Sequence, residues 1–338
     1  MSLLNPIGYT YNVDISPGPY TIYDYNRIVY YGNADYFPGE TSIQIDLSSI
    51  LQQIINVPDL DKHFIQAKAT TSETTHRIKL IDNANKTISG NFIWDYSCTD
   101  GSNIDYNRIF SDYPTPWVYT GQMVPISMYT PASNTYTILI RKKGSVQEIT
   151  KFIIENLTQI DATTMSFFFN TSVDSDDYHM RMTANNNPYE DFILDVKSCI
   201  PENTYTLYYV NLKGGLSYVH CTGKNTTKYT ISRNQFTKTP QYDKPYIHST
   251  KSYMTSKFRT WTLNTPVLTD EQSKALMDLF VSPKVVLLDY SSKKYIAVNI
   301  TDNSVEEKIR MNNHMFNYTI NIQESQKYNI FQWKFHYI

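Results

Sequence analysis

Charge, glycine and cysteine are all scarce in this sequence. Charged residues fill 18% of its 338 positions, against about 25% in ordinary soluble domains. Three Cys are too few to staple a disulfide scaffold. Eleven Gly in a chain of this length argue against a nucleotide-binding fold, whose phosphate loops are glycine-rich. No apolar run approaches the ~20 residues of a membrane span. Met1 to Tyr20 carries no basic region, apolar stretch or small-residue cleavage site, so no secretory signal is expected, and no early Cys offers a lipid anchor. The net charge of −2 and pI of about 6.4 give no electrostatic reason to expect nucleic acid or an acidic membrane as partner.

What the chain does have is aromatic and β-branched. Tyr numbers 29 and Phe 15, and Thr, Ser and Asn exceed a quarter of the residues. With 41% hydrophobic residues and little net charge it is no disordered chain. Tyr, Phe, Thr and Ile suit half-buried pleated surfaces. The length predicts two domains.

Residues 8–15 (GYTYNVDI) alternate as a strand does. SPGP at 16–19 predicts a turn, 20–31 a second β-rich run, FPGE at 37–40 another turn, and 41–47 a third strand. Ile50, Leu51, Ile54 and Ile55 fall at helical spacing in 46–57, where Asp46 or Ser48 can cap and Pro58 ends the helix. Strands are expected at 63–69, 77–82 and 90–97. Residues 98–123 show no period and read as a long aromatic loop, a candidate contact element. Strands then resume at 124–130, 135–142, 146–154, 163–169 and 190–196, with 171–188 a polar loop.

A polar turn at 198–204 places a domain boundary, giving domains 1–200 and 201–338. The second opens with a hairpin around Gly214-Gly215. Strands at 216–222 and 227–233 precede an extended loop, 234–257. Thr269 and Gln272 form a capping box for a helix over 269–281. Strands follow at 284–290, 294–300 and 315–322, and the aromatic tail 326–338 is expected to dock. The fold class is mainly β: two β-sandwich-like domains with a few short helices.

Chemical motifs fail one by one. Cys98, Cys199 and Cys221 lack zinc spacing, and the seven His lack HExxH. His220 and Cys221 are adjacent, so a strand would turn them to opposite faces. Asp174, Asp176 and Asp177 lack the Gly and Glu of a calcium loop. Gly223-Lys224 lacks the upstream Gly and following Ser or Thr of a phosphate loop. The Asn-x-Ser/Thr sequons at Asn85, Asn156, Asn170, Asn225, Asn299 and Asn317 are what an Asn- and Thr-rich chain produces by chance. No catalytic, cofactor-binding or metal-ligating residue is therefore expected. Most Tyr are expected to fill strands. Those in loops are candidate subunit contacts: Tyr106, Phe110, Tyr113, Trp117, Tyr119, Tyr242 and Tyr246.

Three segments carry a family resemblance: YTLYYVNLKGG at 205–215, TLNTPVLTDEQSKALMDLFVSPKVVLLD at 262–289 and NYTINIQES at 317–325. Their order of hairpin, strand, capped helix and final strands resembles a virion structural family of Bacteroidota phages, including crAss-like phages. IQIDLSSIL at 43–51 is similar to the start of such proteins. The resemblance implies a non-enzymatic tail or neck protein: a ring, collar or tail-hub component, located in the virion after assembly in the host cytoplasm. Its implied partners are copies of itself and other tail or neck proteins, with no nucleic-acid specificity and no cofactor. An alternative expectation is a carbohydrate-binding adhesin, a receptor-binding tail protein with Trp94, Trp117, Tyr113 and Tyr119 stacking on host glycan. A third is a hydrolase with dispersed carboxylates.

Overall fold

The computed structural model describes residues 4–6, 11–34, 41–58, 61–65, 70–73, 75–96, 111–115, 117–130, 136–142, 148–154, 161–168, 176–184, 187–197, 199–239, 248–302, 304–305, 317–326 and 328–331. The chain is mainly β, built from several largely antiparallel sheets and short helices. It divides into two compact units. The first takes 1–200, 209–218 and 274–283; the second takes 201–208, 219–273 and 284–338.

In the first unit a five-stranded sheet runs in the order Leu4–Pro6, Thr87–Ile93, Thr75–Ile81, Gly18–Asp24, Arg27–Ala34. The last two strands form a hairpin through a turn with Tyr25 at φ 52. Alternation explains its packing: Tyr20 and Ile22 are buried on one side, with Ile78 and Leu80 from the neighbouring strand. Asn12–Ile15 pairs with Ile43–Asp46, and Val13 and Ile15 join the core. The helix Ser48–Ile54 begins beside Asp46, whose carboxylate accepts the Ser48 N–H at 2.9 Å; Leu51 is its buried residue.

Two further sheets belong to this unit. One is ordered Met123–Thr130, Asp161–Phe168, Thr70–Glu73; the other Glu148–Ile154, Tyr136–Lys142, Asp176–Ala184, Asn187–Lys197, Trp117–Tyr119. The polar segment expected to be a loop therefore contains the strand Asp176–Ala184. Ladder pairing on both of its sides overrides polar composition. The expected loop 98–123 likewise contains a strand, Trp117–Tyr119, parallel to Asp195–Lys197. The expected strand at 63–69 opens instead as a short helix, Asp61–Ile65.

The second unit carries most of an eight-stranded sheet. Its order is Leu216–Cys221, Tyr205–Val210, Val285–Asp289, Lys294–Ile300, Thr319–Glu324, Thr250–Asn264, Thr226–Thr237, with Tyr328–Phe331 also paired to Thr250–Asn264. Its core includes Leu207, Tyr208, Trp261, Leu263, Leu287, Val298, Ile320 and Ile322. The helix Asp270–Val281 starts as its capping box predicts: the Thr269 N–H donates to Gln272 Oε1 at 2.9 Å and the Gln272 N–H to Thr269 Oγ1 at 3.3 Å. The tail contributes Tyr328–Phe331 as a strand. The expected extended loop 234–257 is a correction. Most of it belongs to two long strands, Thr226–Thr237 and Thr250–Asn264.

No helix among the described residues is long and apolar enough to cross a membrane.

Candidate functional site

The two longest strands among the described residues, Thr226–Thr237 and Thr250–Asn264, form an antiparallel ribbon, backed by Tyr328–Phe331 along Met254–Lys257. Twelve residues of strand span about 40 Å. From Thr226 to Thr237 and from Thr250 to Thr260, no residue is buried. The first buried side chain is Trp261. Apolar side chains stand in water along this arm: Tyr229 is 52% exposed and Ile231 48%. Thr226–Thr237 is also the last strand of its sheet, with its outer edge open among the described residues.

The base of the ribbon is anchored. Arg259 Nε and Nη2 donate to the two carboxylate oxygens of Glu324 at 3.1 and 2.9 Å, and Glu324 is 3% exposed. This is a bidentate charge-assisted pair. Arg259 also lies over the Trp261 ring at 5.1 Å. Asn225 ties the entry turn: its Nδ2 donates to the Asn203 and Cys221 carbonyls, and its Oδ1 accepts the Asn264 N–H.

Farther out, the register slips between Asn234 and Gln235. Asn234 pairs with Met254 and Gln235 with Ser252, so Tyr253 is the extra residue of a bulge. An open cleft of about 670 Å³ lies here. Arg233, Lys238, His248 and Lys251 line it with Phe236, Thr250, Ser252 and Thr255, and among these described residues there is no carboxylate. Lys238 Nζ stands 5.8 Å from the Phe236 ring centre.

The ribbon is basic along its length. Between Thr226 and Phe258 the sequence has six Lys or Arg and one Asp, a net of +5. The whole chain is −2, so the remainder is −7. The near-neutral total concealed this segregation, and a windowed charge count finds it.

A polar cluster sits in the first unit. Asn211 Oδ1 accepts the Lys213 and Gly215 N–H groups at 3.1 and 2.8 Å, while its Nδ2 donates to Asp112 and to Ser217 Oγ. The Leu212 N–H donates to Asp278 Oδ2 at 3.0 Å, and Lys213 Nζ is 3.7 Å from Asp112 Oδ1. Burial raises the Asp278 carboxyl; the Leu212 bond opposes that, and the charges of Asp112 and Asp95 reinforce it. Burial also raises Asp112, against Lys213 and Asn211. Amides and one lysine occupy these carboxyls, an arrangement that closes a turn.

Of the residues singled out from sequence, Tyr106, Phe110, Tyr242 and Tyr246 lie outside the described residues, as do Cys98 and Asp174. Tyr119 is 2% exposed, so its ring packs inside its own unit rather than presenting a contact surface. Trp117 is half-buried, with Lys197 Nζ 4.3 Å over its ring. Tyr113 is half-buried too: its hydroxyl donates to the Pro125 carbonyl and its ring meets Tyr218 at 5.1 Å. Trp94 is buried as well. The structure thus does not gather these rings into one exposed platform. His220 bonds Thr206 through Nδ1 at 2.8 Å, and burial pushes the Cys221 thiol up to about 12. Such a thiol stays protonated at neutral pH and is no nucleophile. Among the described residues no three His, Cys, Asp or Glu side chains group to hold a metal ion. The exposed element missed from sequence is the ribbon. No family model matches the chain, and no curated protein matches it.

Proposed function

We propose that this protein is a non-enzymatic structural component of a phage virion, a ring, collar or tail-hub subunit of the neck or tail that assembles through contacts between copies. The observation that carries this reading is the ribbon. Tyr328–Phe331 backs the ribbon along Met254–Lys257, and beyond Tyr253 the described tip is a two-stranded hairpin, which is marginal in water by itself. The ribbon exposes Tyr229, Ile231 and Tyr253 and, among the described residues, leaves a twelve-residue sheet edge open. Exposed edges and apolar side chains of this kind are templates for another chain. Rings close through heterologous contacts, in which an arm of one copy meets a different surface of the next. The C-terminal resemblance supports the same reading, since segment 262–289 begins with the base of the ribbon strand Thr250–Asn264 and segment 317–325 holds Thr319–Glu324, which pairs with that base.

The adhesin alternative has less support, because Trp94 and Tyr119 are buried and Lys197 covers a face of Trp117. Light scattering of the purified full chain tests the proposal, together with a search for the protein in purified particles. A multiple of 39.3 kDa that falls to one copy when Ile231→Asp is introduced is the expected result. A strictly monomeric protein absent from particles overturns it.

A further inference from the structure

We propose that the cleft at the outer part of the ribbon is a binding site for the phosphodiester backbone of nucleic acid, read without regard to sequence. The lining chemistry carries the inference. Arg233, Lys238, His248 and Lys251 converge on one concavity with the hydroxyls of Thr250, Ser252 and Thr255. Basic side chains and Ser or Thr hydroxyls are the groups that hold phosphate oxygens. Phe236, between Tyr253 at 6.4 Å and Lys238 at 5.8 Å, forms the apolar wall against which the cations are held. From Thr226 to Phe258 six Lys or Arg stand against one Asp, so the segment's net charge favours a polyanion.

Shape agrees with charge. Tyr328–Phe331 pairs with Met254–Lys257 on the inner side of the cleft, so among the described residues the two-stranded part is the tip beyond Tyr253, an element narrow enough for the major groove. The bulge at Tyr253 locally bends and twists the ribbon beside the cleft. The rest of the chain is net negative, so the excess of positive charge lies on this arm. An acidic face of a second copy would be the other occupant of such charge. The row of hydroxyls beside the cations suits a phosphate backbone better than scattered carboxylates.

The test is fluorescence anisotropy of a fluorescein-labelled, random-sequence DNA duplex titrated with the full-length protein at several salt concentrations. Binding is expected at low salt. Its affinity should fall with a log–log slope of about −2 to −4, for two to four released counterions. A second duplex of unrelated sequence should bind equally. The double variant Lys238→Glu, Lys251→Glu should weaken binding by at least about tenfold and flatten the slope by about 2. Its far-ultraviolet dichroism and melting should match the parent, because both lysines are exposed. Lys274→Glu, an exposed change on the helix Asp270–Val281, should leave the affinity unchanged. Absence of binding at low salt overturns the proposal. So does equal weakening by Lys274→Glu, or a double variant that loses assembled mass in light scattering while binding DNA as before. That last outcome assigns the cleft to the neighbouring copy.

Discussion

Lys257 holds its ammonium 4.3 Å from the ring centre of Tyr229, across the two strands of the ribbon. The register sets Lys257 opposite Ile231, so the contact runs diagonally along one face. An exposed cation–π pair contributes about 0.5–1 kcal/mol. It stiffens the arm without burying either partner.

The first prediction follows from that exposure. Ile231→Asp should change the melting temperature of the dissociated chain little, since surface substitutions usually stay within about 0.5 kcal/mol. The same variant should sharply reduce assembled mass in light scattering. A variant that unfolds the chain itself would show that Ile231 serves the fold and not a neighbour.

Glu324 and Arg259 behave differently. Glu324 is buried and both its oxygens accept from Arg259. Arg259→Met leaves a buried carboxylate without its main partner, at a cost of about 3 kcal/mol. Adding Glu324→Leu should recover most of that loss. Chemical denaturation of the two single variants and the double variant measures the coupling; additive losses would refute it.

Gly214 faces a steric limit. Its φ is +77, and a Cβ there would stand 2.3 Å from the Trp94 carbonyl oxygen. Gly214→Ala should therefore destabilise by more than about 1 kcal/mol, through both φ and the clash with backbone. Urea denaturation reads this directly, and an unchanged midpoint would contradict the geometry.

Two kinds of carboxyl give opposite pH responses. Burial raises Asp278, so the folded chain binds a proton that the unfolded chain has already released. Its contribution to stability is full below the unfolded value and is lost as pH rises through the folded one. Asp82 is the reverse. Burial would raise it, but the N–H groups of Ser16, Lys86 and Ala84 outweigh that and hold it low. Its contribution is present above the unfolded value and is lost as pH falls through the folded one. Asp278→Asn keeps an acceptor for the Leu212 N–H. It should melt higher than the parent at neutral pH, with the gap closing in acid. Asp82→Asn should melt lower at neutral pH, and that gap should also close in acid. Melting curves across pH check both, and differences independent of pH would contradict them.

Thiol labelling separates the described cysteines. Cys199 is exposed and should alkylate readily, whereas Cys221 is buried with its thiol held protonated. Peptide mapping after brief alkylation should find Cys199 modified and Cys221 intact. Equal labelling of both would mean that Cys221 is open to solvent.

Local chemistry made parts of this fold legible. Thr269 and Gln272 announced their helix, because a capping box acts within four residues. Val285–Asp289 announced its strand by an unbroken apolar run. The ribbon escaped because neither of its faces is buried, so Thr226–Thr237 shows no apolar alternation. Asp176–Ala184 escaped for a related reason: polar side chains obscure a strand that is defined by its neighbours' hydrogen bonds. The aromatic residues of 111–119 misled in the other direction. Tyr119 was expected to meet another subunit, yet it meets its own fold, since composition does not tell an inner surface from an outer one.

The first unit draws on chain far beyond residue 200, taking 209–218 and 274–283. Asn211, Leu212 and Asp278, which close its polar turn, all come from those late pieces. A gene fragment ending near residue 200 would thus encode an unfinished body with an unfilled place in it. The boundary between the two units is therefore no single cut in the chain, and the first unit receives its last piece, 274–283, only after most of the chain has been synthesised.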